Sequence, residues 1–400
     1  MKNKYVPTAL GLYINYIVHG MGVLIIMQNK DALAAQWNTN IEGVSGVVAM
    51  LGIGRLVAIL ISGWLSDKFG RKPFVYLGML IYALFFVGIL FSPSVPVAMA
   101  FGVIAGIANS CLDSGTYPAL MESFPKTAGT ASVLIKAAVQ IGQFALPFII
   151  AFLGSSGLWF GWSFVVCLVL LCVNALFLLK LPFPDSDNKE AEKEGIEIEA
   201  APVTIFKSKP KMHIEGVAFV IYGFISQATF YLISQYIAVY GQEVAAMSEN
   251  SAKLLVSYYS TGSLVCVGVT AVVAAKVRPV NLVLPYTLAS FLSITAMWLF
   301  PTPTVLIVGA VLVGFFAAGG VMQLGLTVMG EMFPAGKGTI TGIFYTFGSI
   351  ASFAIPVVSG RIASSNPRGI MLLDTIIAGI GFVLAVIIFI RYRQTIDTSK

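Results

Sequence analysis

The sequence predicts an all-α membrane protein, with twelve transmembrane helices in two pseudo-symmetric six-helix bundles. Three observations carry this. Of 400 residues, 58% are hydrophobic and 10% charged, whereas a soluble domain carries about 25% charged residues. The apolar runs mostly reach the roughly 20 residues needed to cross hydrocarbon, and they lack the alternation of a barrel wall. Finally, one passage is written twice. ESFPKTAGTASVLIKAAVQIGQFALP at 122–147 aligns without a gap on EMFPAGKGTITGIFYTFGSIASFAIP at 331–356, an offset of 209.

The spans read in order are 7–29, 44–64, 74–91, 96–118, 130–153, 162–180, 214–240, 252–274, 280–299, 304–328, 339–361 and 369–391. Six precede and six follow a polar stretch, which gives bundles at 1–180 and 214–400 joined by a linker at 181–213. The linker is acidic, then basic at Lys207, Lys209 and Lys211, with Pro182, Pro184, Pro202 and Pro210 along it. That composition reads as a solvated tether. Repetition of the first half in the same orientation implies two similar bundles facing each other, the arrangement that places a solute site between halves that rock around it.

Lys and Arg set the expected topology. With the N-terminus inside, the cytoplasmic connections collect 18 of the 24 basic residues, including Lys4, Lys68, Arg71, Lys72, Arg278, Arg391 and Arg393. The outer side holds Lys30, Lys253, Arg361 and Arg368. Both termini are therefore expected in the cytosol of a cell-membrane protein. The net charge of +6 is explained by this orientation, so the lipid bilayer is the implied partner and no nucleic acid is called for. Met1–Lys4 and the apolar run after it lack a small-residue cleavage site, so the first span reads as retained. Cys111, Cys167, Cys172 and Cys266 all fall inside spans as small apolar packers. With His19 and His213 as the two histidines, no metal cluster and no cofactor are expected, and the chain reads as a monomer.

Between the second and third spans stands Gly63-Trp64-Leu65-Ser66-Asp67-Lys68-Phe69-Gly70-Arg71-Lys72. Gly63 and Gly70 suit close backbone approach and a sharp turn. This run resembles the G-x-L-x-D-x-x-G-R-[RK] signature of the major facilitator superfamily. A second family pattern, E-x-x-P-x-x-x-[RK]-G, appears at Glu122–Gly129 and Glu331–Gly338. The later copy keeps its basic residue, Lys337, and the earlier one has Ala128 instead. The resemblance covers the whole chain. It implies a carrier with a central cavity lined by helices 1, 4, 7 and 10, and it assigns Gly63, Asp67, Gly70, Arg71, Lys72, Glu122 and Glu331 to gating and packing.

Ionisable groups inside spans are costly and by default face a partner or a cavity. Arg55 lies about 18 Å along its helix from Asp67, and Asp113 about 13 Å from Glu122, both near mid-depth. Each belongs to a polar stripe at helical spacing. Thr8, Asn15 and His19 share one face of helix 1; Asn109, Asp113 and Tyr117 share one of helix 4; Ser132, Lys136, Gln140 and Gln143 one of helix 5. The second half offers Gln227, Tyr231 and Ser234, then Gln323 and Thr327, then Thr341, Tyr345, Ser349 and Ser352. At the 209 offset Arg55 falls on Leu264 and Lys136 on Tyr345, which confines intramembrane charge to the first half. Two readings stand open for Asp113: a buried structural pair with Arg55 or Lys136, or a group that exchanges a proton or a cationic partner during transport.

The function expected is secondary transport of a small polar or anionic organic solute by proton-coupled symport. The alternative is proton-driven efflux of drugs or metabolites. The Gly-Pro pair that family drug antiporters carry in helix 5 is replaced here by Gly142-Gln143-Phe144-Ala145-Leu146-Pro147, which counts against efflux. A non-transporting sensor finds no signalling module in the linker or tail. No nucleophile–base set, P-loop or dinucleotide fingerprint stands in a soluble segment, so an enzyme is not expected.

Overall fold

The computed structural model describes residues 3–124, 127–184, 206–274, 277–333 and 337–396. The predicted linker core, Pro125, Lys276 and the side chains of Ser132, Lys337 and Thr341 lie outside this description. The chain divides into two compact units, residues 1–201 and 202–400.

The first unit contains α1 (Val6–Gln28), α2 (Lys30–Gln36), α3 (Ile41–Phe69), α4 (Arg71–Phe91), α5 (Val95–Ser123), α6 (Ala128–Ser155) and α7 (Trp162–Leu178). Local chemistry explains their ends. Asn40 caps α3 by accepting from the Glu42 and Gly43 amides, which satisfies donors that have no intrahelical partner. Prolines open α1 and α5 where a missing N–H costs nothing. Gly70, at φ +94°, makes the turn between α3 and α4 in a conformation that L side chains resist. The short α2 between the first two spans was not anticipated.

The second unit contains α8 (Val217–Glu243), α9 (Glu249–Ala274), α10 (Pro279–Leu299), α11 (Pro303–Val313), a π-helical turn at Gly314–Ala318, α12 (Val321–Met332), α13 (Lys337–Ser365) and α14 (Gly369–Thr395). Its core is built from Phe219, Tyr222, Val283, Val328, Met329 and Phe344. Among the described residues eleven segments are long and apolar enough to cross a membrane, α11 to α12 counting as one, and the apolar α7 of 17 residues stands at the remaining predicted position. Strand structure among the described residues is limited to an isolated bridge between Phe206 and Ile396.

Many helices carry large apolar side chains on their outer faces, such as Leu60 and Trp64 on α3 and Ile376, Ile380, Val383, Ile387 and Ile390 on α14. A soluble protein rarely exposes such continuous patches. Hydrocarbon is the solvent they fit.

The units repeat each other's internal packing. In the first, α1 packs on α6 and α7, and α3 on α5. In the second, α8 packs on α13 and α14, and α9 on α11 and the π turn. Glycines mark the equivalent crossings. A methyl group on Gly54 would run into the Val103 carbonyl and one on Gly106 into the Leu51 carbonyl. In the second unit Gly262 meets Val311 and Gly314 meets Tyr259 in the same way. All four pairs of positions are offset by 208, not 209 (262 against 54, 314 against 106). The π turn beginning at Gly314 is the place where one extra residue enters and restores the 209 offset seen at Glu122 and Glu331. A π bulge is an α-helix with one residue inserted. The partner of Arg55 is therefore Ser263, which corrects the gap-free assignment to Leu264.

Candidate functional site

In the first unit the α3–α5 crossing brings two mid-span charges together. With no side chain on Gly54 or Gly106, the helices approach until the Ser110 hydroxyl donates to the Arg55 carbonyl at 3.2 Å. Arg55 Nη2 then lies 3.0 Å from Asp113 Oδ2, and the Tyr16 hydroxyl donates to Asp113 Oδ1 at 2.5 Å. The carboxylate is thus held from both sides, by a guanidinium and by a phenol. The Asp113 side chain is 12% exposed and that of Arg55 is 30% exposed, so the cation has room to meet a further group. Tyr117 and His19 set their rings edge-on to Tyr16, at 6.0 and 5.7 Å.

The helix 1 stripe divides between two neighbours. A ring nitrogen of His19 lies 3.1 Å from the Tyr82 hydroxyl on α4. Asn15 accepts from Asn174 of α7 at 2.7 Å, and the same Asn174 amide donates to the Gly11 carbonyl. Asn109 is buried one turn before Asp113, and Lys136 is half-buried on α6. Gln140 and Gln143 follow Lys136 on α6, and each holds a buried amide oxygen with no hydrogen-bond partner among the described residues.

At the α3–α4 turn the family signature forms a charge cluster. Arg71 donates to Asp67 at 2.5 Å, to Glu122 at 3.0 and 3.2 Å, and to the Ser66 hydroxyl at 3.2 Å. Lys72 donates to the Leu179 and Leu181 carbonyls just beyond α7, where a cation meets the negative end of the helix dipole. Gly63 has open space where a side chain would be. A methyl group there would meet no neighbour among the described residues.

In the second unit Gln227 donates to Ser352 at 3.2 Å, linking α8 to α13, and Gln323 donates to the Tyr345 hydroxyl at 3.1 Å, linking α12 to α13. Tyr231 is buried on α8 one turn beyond Gln227. Glu331 accepts from Tyr392 at 2.6 Å. It thereby takes a phenol partner where Glu122 takes Arg71.

Ionisable side chains within the spans are not confined to the first half. Asp374 lies on α14 inside the predicted span 369–391 and is 0% exposed. The polar stripes read from the sequence did not include it. The signal that finds it is helical spacing: the outward Ile376–Ile380–Val383 face fixes the opposite face, with Asp374 on it, as inward. Tyr16, Tyr82 and Asn174 are further partners that the polar stripes did not name. No group of three or more His, Cys, Asp or Glu suited to a metal occurs among the described residues.

Comparison with known proteins follows this geometry. The Major Facilitator Superfamily family model matches residues 12–303 and 246–400. The chain is 48% identical over 396 residues to the inner membrane transport protein YdiM of Escherichia coli, covering 98% of this chain and 96% of that one. It is 39% identical to the MFS-type transporter YfkL of Bacillus subtilis, covering 98% of each. A solved D-xylose–proton symporter superposes with TM-score 0.74 at 15% identity over 96% of both chains. An inward-open xylose transporter, XylE of E. coli, gives 0.76 at 12% identity over 98% of this chain and 97% of that one. At such identities the structures speak for the fold. With twelve spans in two repeated units and a family match along its length, this chain belongs to the major facilitator superfamily of membrane transporters.

Proposed function

We propose that this transporter takes up a small organic solute with a polar or anionic head by proton-coupled symport, and that Asp113 carries the proton. The carrying observation is the triple contact of Tyr16, Asp113 and Arg55. While Asp113 is ionised, Arg55 is neutralised and has little to offer an anion. Once Asp113 is protonated the pair loses its attraction, and Arg55 gains affinity for a carboxylate or phosphate head. Proton and anion then bind as mutual helpers, because each removes what holds the other off. Hydrogen-bonding groups such as Gln140, Gln227, Gln323 and Tyr345 would orient the rest of the solute.

The positive-inside distribution supports an orientation with both termini in the cytoplasm, and the relatives' name supports a bacterial-type inner membrane. The arrangement is read as a monomer in lipid, with Asp67, Arg71 and Glu122 holding the first unit's gate.

The experiment begins with the purified protein and a thermal-shift screen of organic acids, sugars and aromatic metabolites. A hit is then offered to proteoliposomes with an acidic exterior. Accumulation inside that collapses with a protonophore supports symport. Accumulation driven only by the opposite proton gradient overturns the direction, and flux indifferent to either gradient overturns the coupling.

A further inference from the structure

We propose that Asp374 is a second proton-binding group, seated in the second unit and served by a small hydrated pocket beside Thr229. On α14 the outward face carries Ile376, Ile380, Val383, Ile387 and Ile390, and the inward face carries Asp374, Ala378, Gly381 and Ala385. Asp374 therefore points into the helix packing, fully removed from the surface. Neither carboxylate oxygen has a hydrogen-bond partner by strict geometry among the described residues. The groups that face it are the Thr229 hydroxyl of α8 and Tyr259 of α9. Tyr259 is committed to the Phe230 carbonyl at 3.3 Å, and no Lys, Arg or His stands among these neighbours. An ionised carboxylate in such a place would be an uncompensated buried charge, and a protein avoids that by keeping the group neutral.

A route for the proton lies one hydroxyl away. Thr229 also lines a pocket of about 20 Å³, together with Tyr222, Ser226, Thr287 and Ser290. That is room for about one water by the usual minimum of roughly 10–15 Å³. The Tyr222 and Ser290 hydroxyls are without partners there, so a water would find groups to bind. Ala378 and Gly381, one and two turns from Asp374 on the same face, wall this pocket, and Ala317 of the π turn closes another side. Carboxyl and pocket thus share Thr229 as a common neighbour inside otherwise apolar packing. The assignment is separate from that of Asp113, and the two fail separately.

The test is infrared spectroscopy of the purified, detergent-solubilised carrier at neutral pH, with each variant's spectrum subtracted from that of the wild type. The wild type is expected to show the carbonyl stretch of a protonated acid in an apolar setting. Asp374→Asn should lose that band and Asp113→Asn should keep it. If the Asn variant does not fold, Asp374→Glu serves instead, with the band shifted and not abolished. A companion measurement follows the melting temperature as pH is raised. A folded state that retains a proton the unfolded chain releases loses up to tenfold in its folding equilibrium per pH unit. The wild type should therefore soften with rising pH, and Asp374→Asn should show none of that decline. An acid band surviving in both Asp374 variants unshifted, a wild type with no such band, or a band erased by replacing potassium with sodium would each overturn the proposal, the last by making the site a sodium site.

Discussion

Tyr16 and Asp113 meet at 2.5 Å, phenol to carboxylate, on the oxygen that the Arg55 guanidinium does not take. A carboxylate so clasped has its charge satisfied twice, and removing either donor should leave a measurable mark. Tyr16→Phe deletes a hydrogen bond to a charged acceptor, which is worth about 1.5–3 kcal/mol. The expected result is a lower melting temperature with the helical spectrum intact.

Arg55 and Asp113 should behave as a unit. Arg55→Gln and Asp113→Asn each strand a half-buried charge, and breaking a buried pair costs about 3–5 kcal/mol. Partial exposure of Arg55 lowers that figure here. The double variant should be less destabilised than the sum of the two singles, because neither charge is then left behind. Thermal unfolding of the four proteins gives the coupling directly.

Glycine substitutions separate packing from open space. Gly106→Ala drives a methyl into the Leu51 carbonyl and toward the Arg55 amide. Overpacking costs about 1–3 kcal/mol, and here the obstacle is backbone that cannot rotate away. Transport should be lost along with stability. Gly63→Ala meets nothing and should leave the melting temperature unchanged or raise it slightly, since Gly inside a helix costs roughly 0.5–1 kcal/mol relative to Ala.

Within the turn cluster the cost should follow burial. The Asp67 side chain is 69% exposed, whereas those of Glu122 and Arg71 are 14% and 11% exposed. Asp67→Asn should cost below about 1 kcal/mol, as exposed pairs do. Arg71→Gln leaves Glu122 partly buried and unpaired, and should cost several times more. Comparing the two melting temperatures checks the order.

Much of the architecture was legible because the bilayer imposes length. A run of apolar residues long enough to span declares itself, and the twelve spans stand where the hydropathy put them. The Arg55–Asp113 pair was legible for a related reason, since two opposite charges at one depth have strong cause to meet. What escaped has physical causes too. A gap-free alignment has no way to show a π turn, so Arg55 was matched to Leu264 until the glycine crossings fixed Ser263. Tyr16 and Tyr82 were not named from the sequence, because only the fold tells which hydroxyl finds a carboxylate or an imidazole. Asn174 sat unnoticed in the apolar run of α7, and Asp374 in the first turns of the last span.

The most direct measurement pairs two assays on Asp113→Asn in proteoliposomes, once the thermal-shift screen has supplied a solute. A ligand at a hundred times its dissociation constant stabilises the fold by about 2.7 kcal/mol, so binding is visible before any flux is measured. The variant is expected to bind and exchange the solute across the membrane while failing to concentrate it against a gradient at any external pH. Concentrative, protonophore-sensitive uptake at wild-type level in Asp113→Asn would contradict the account.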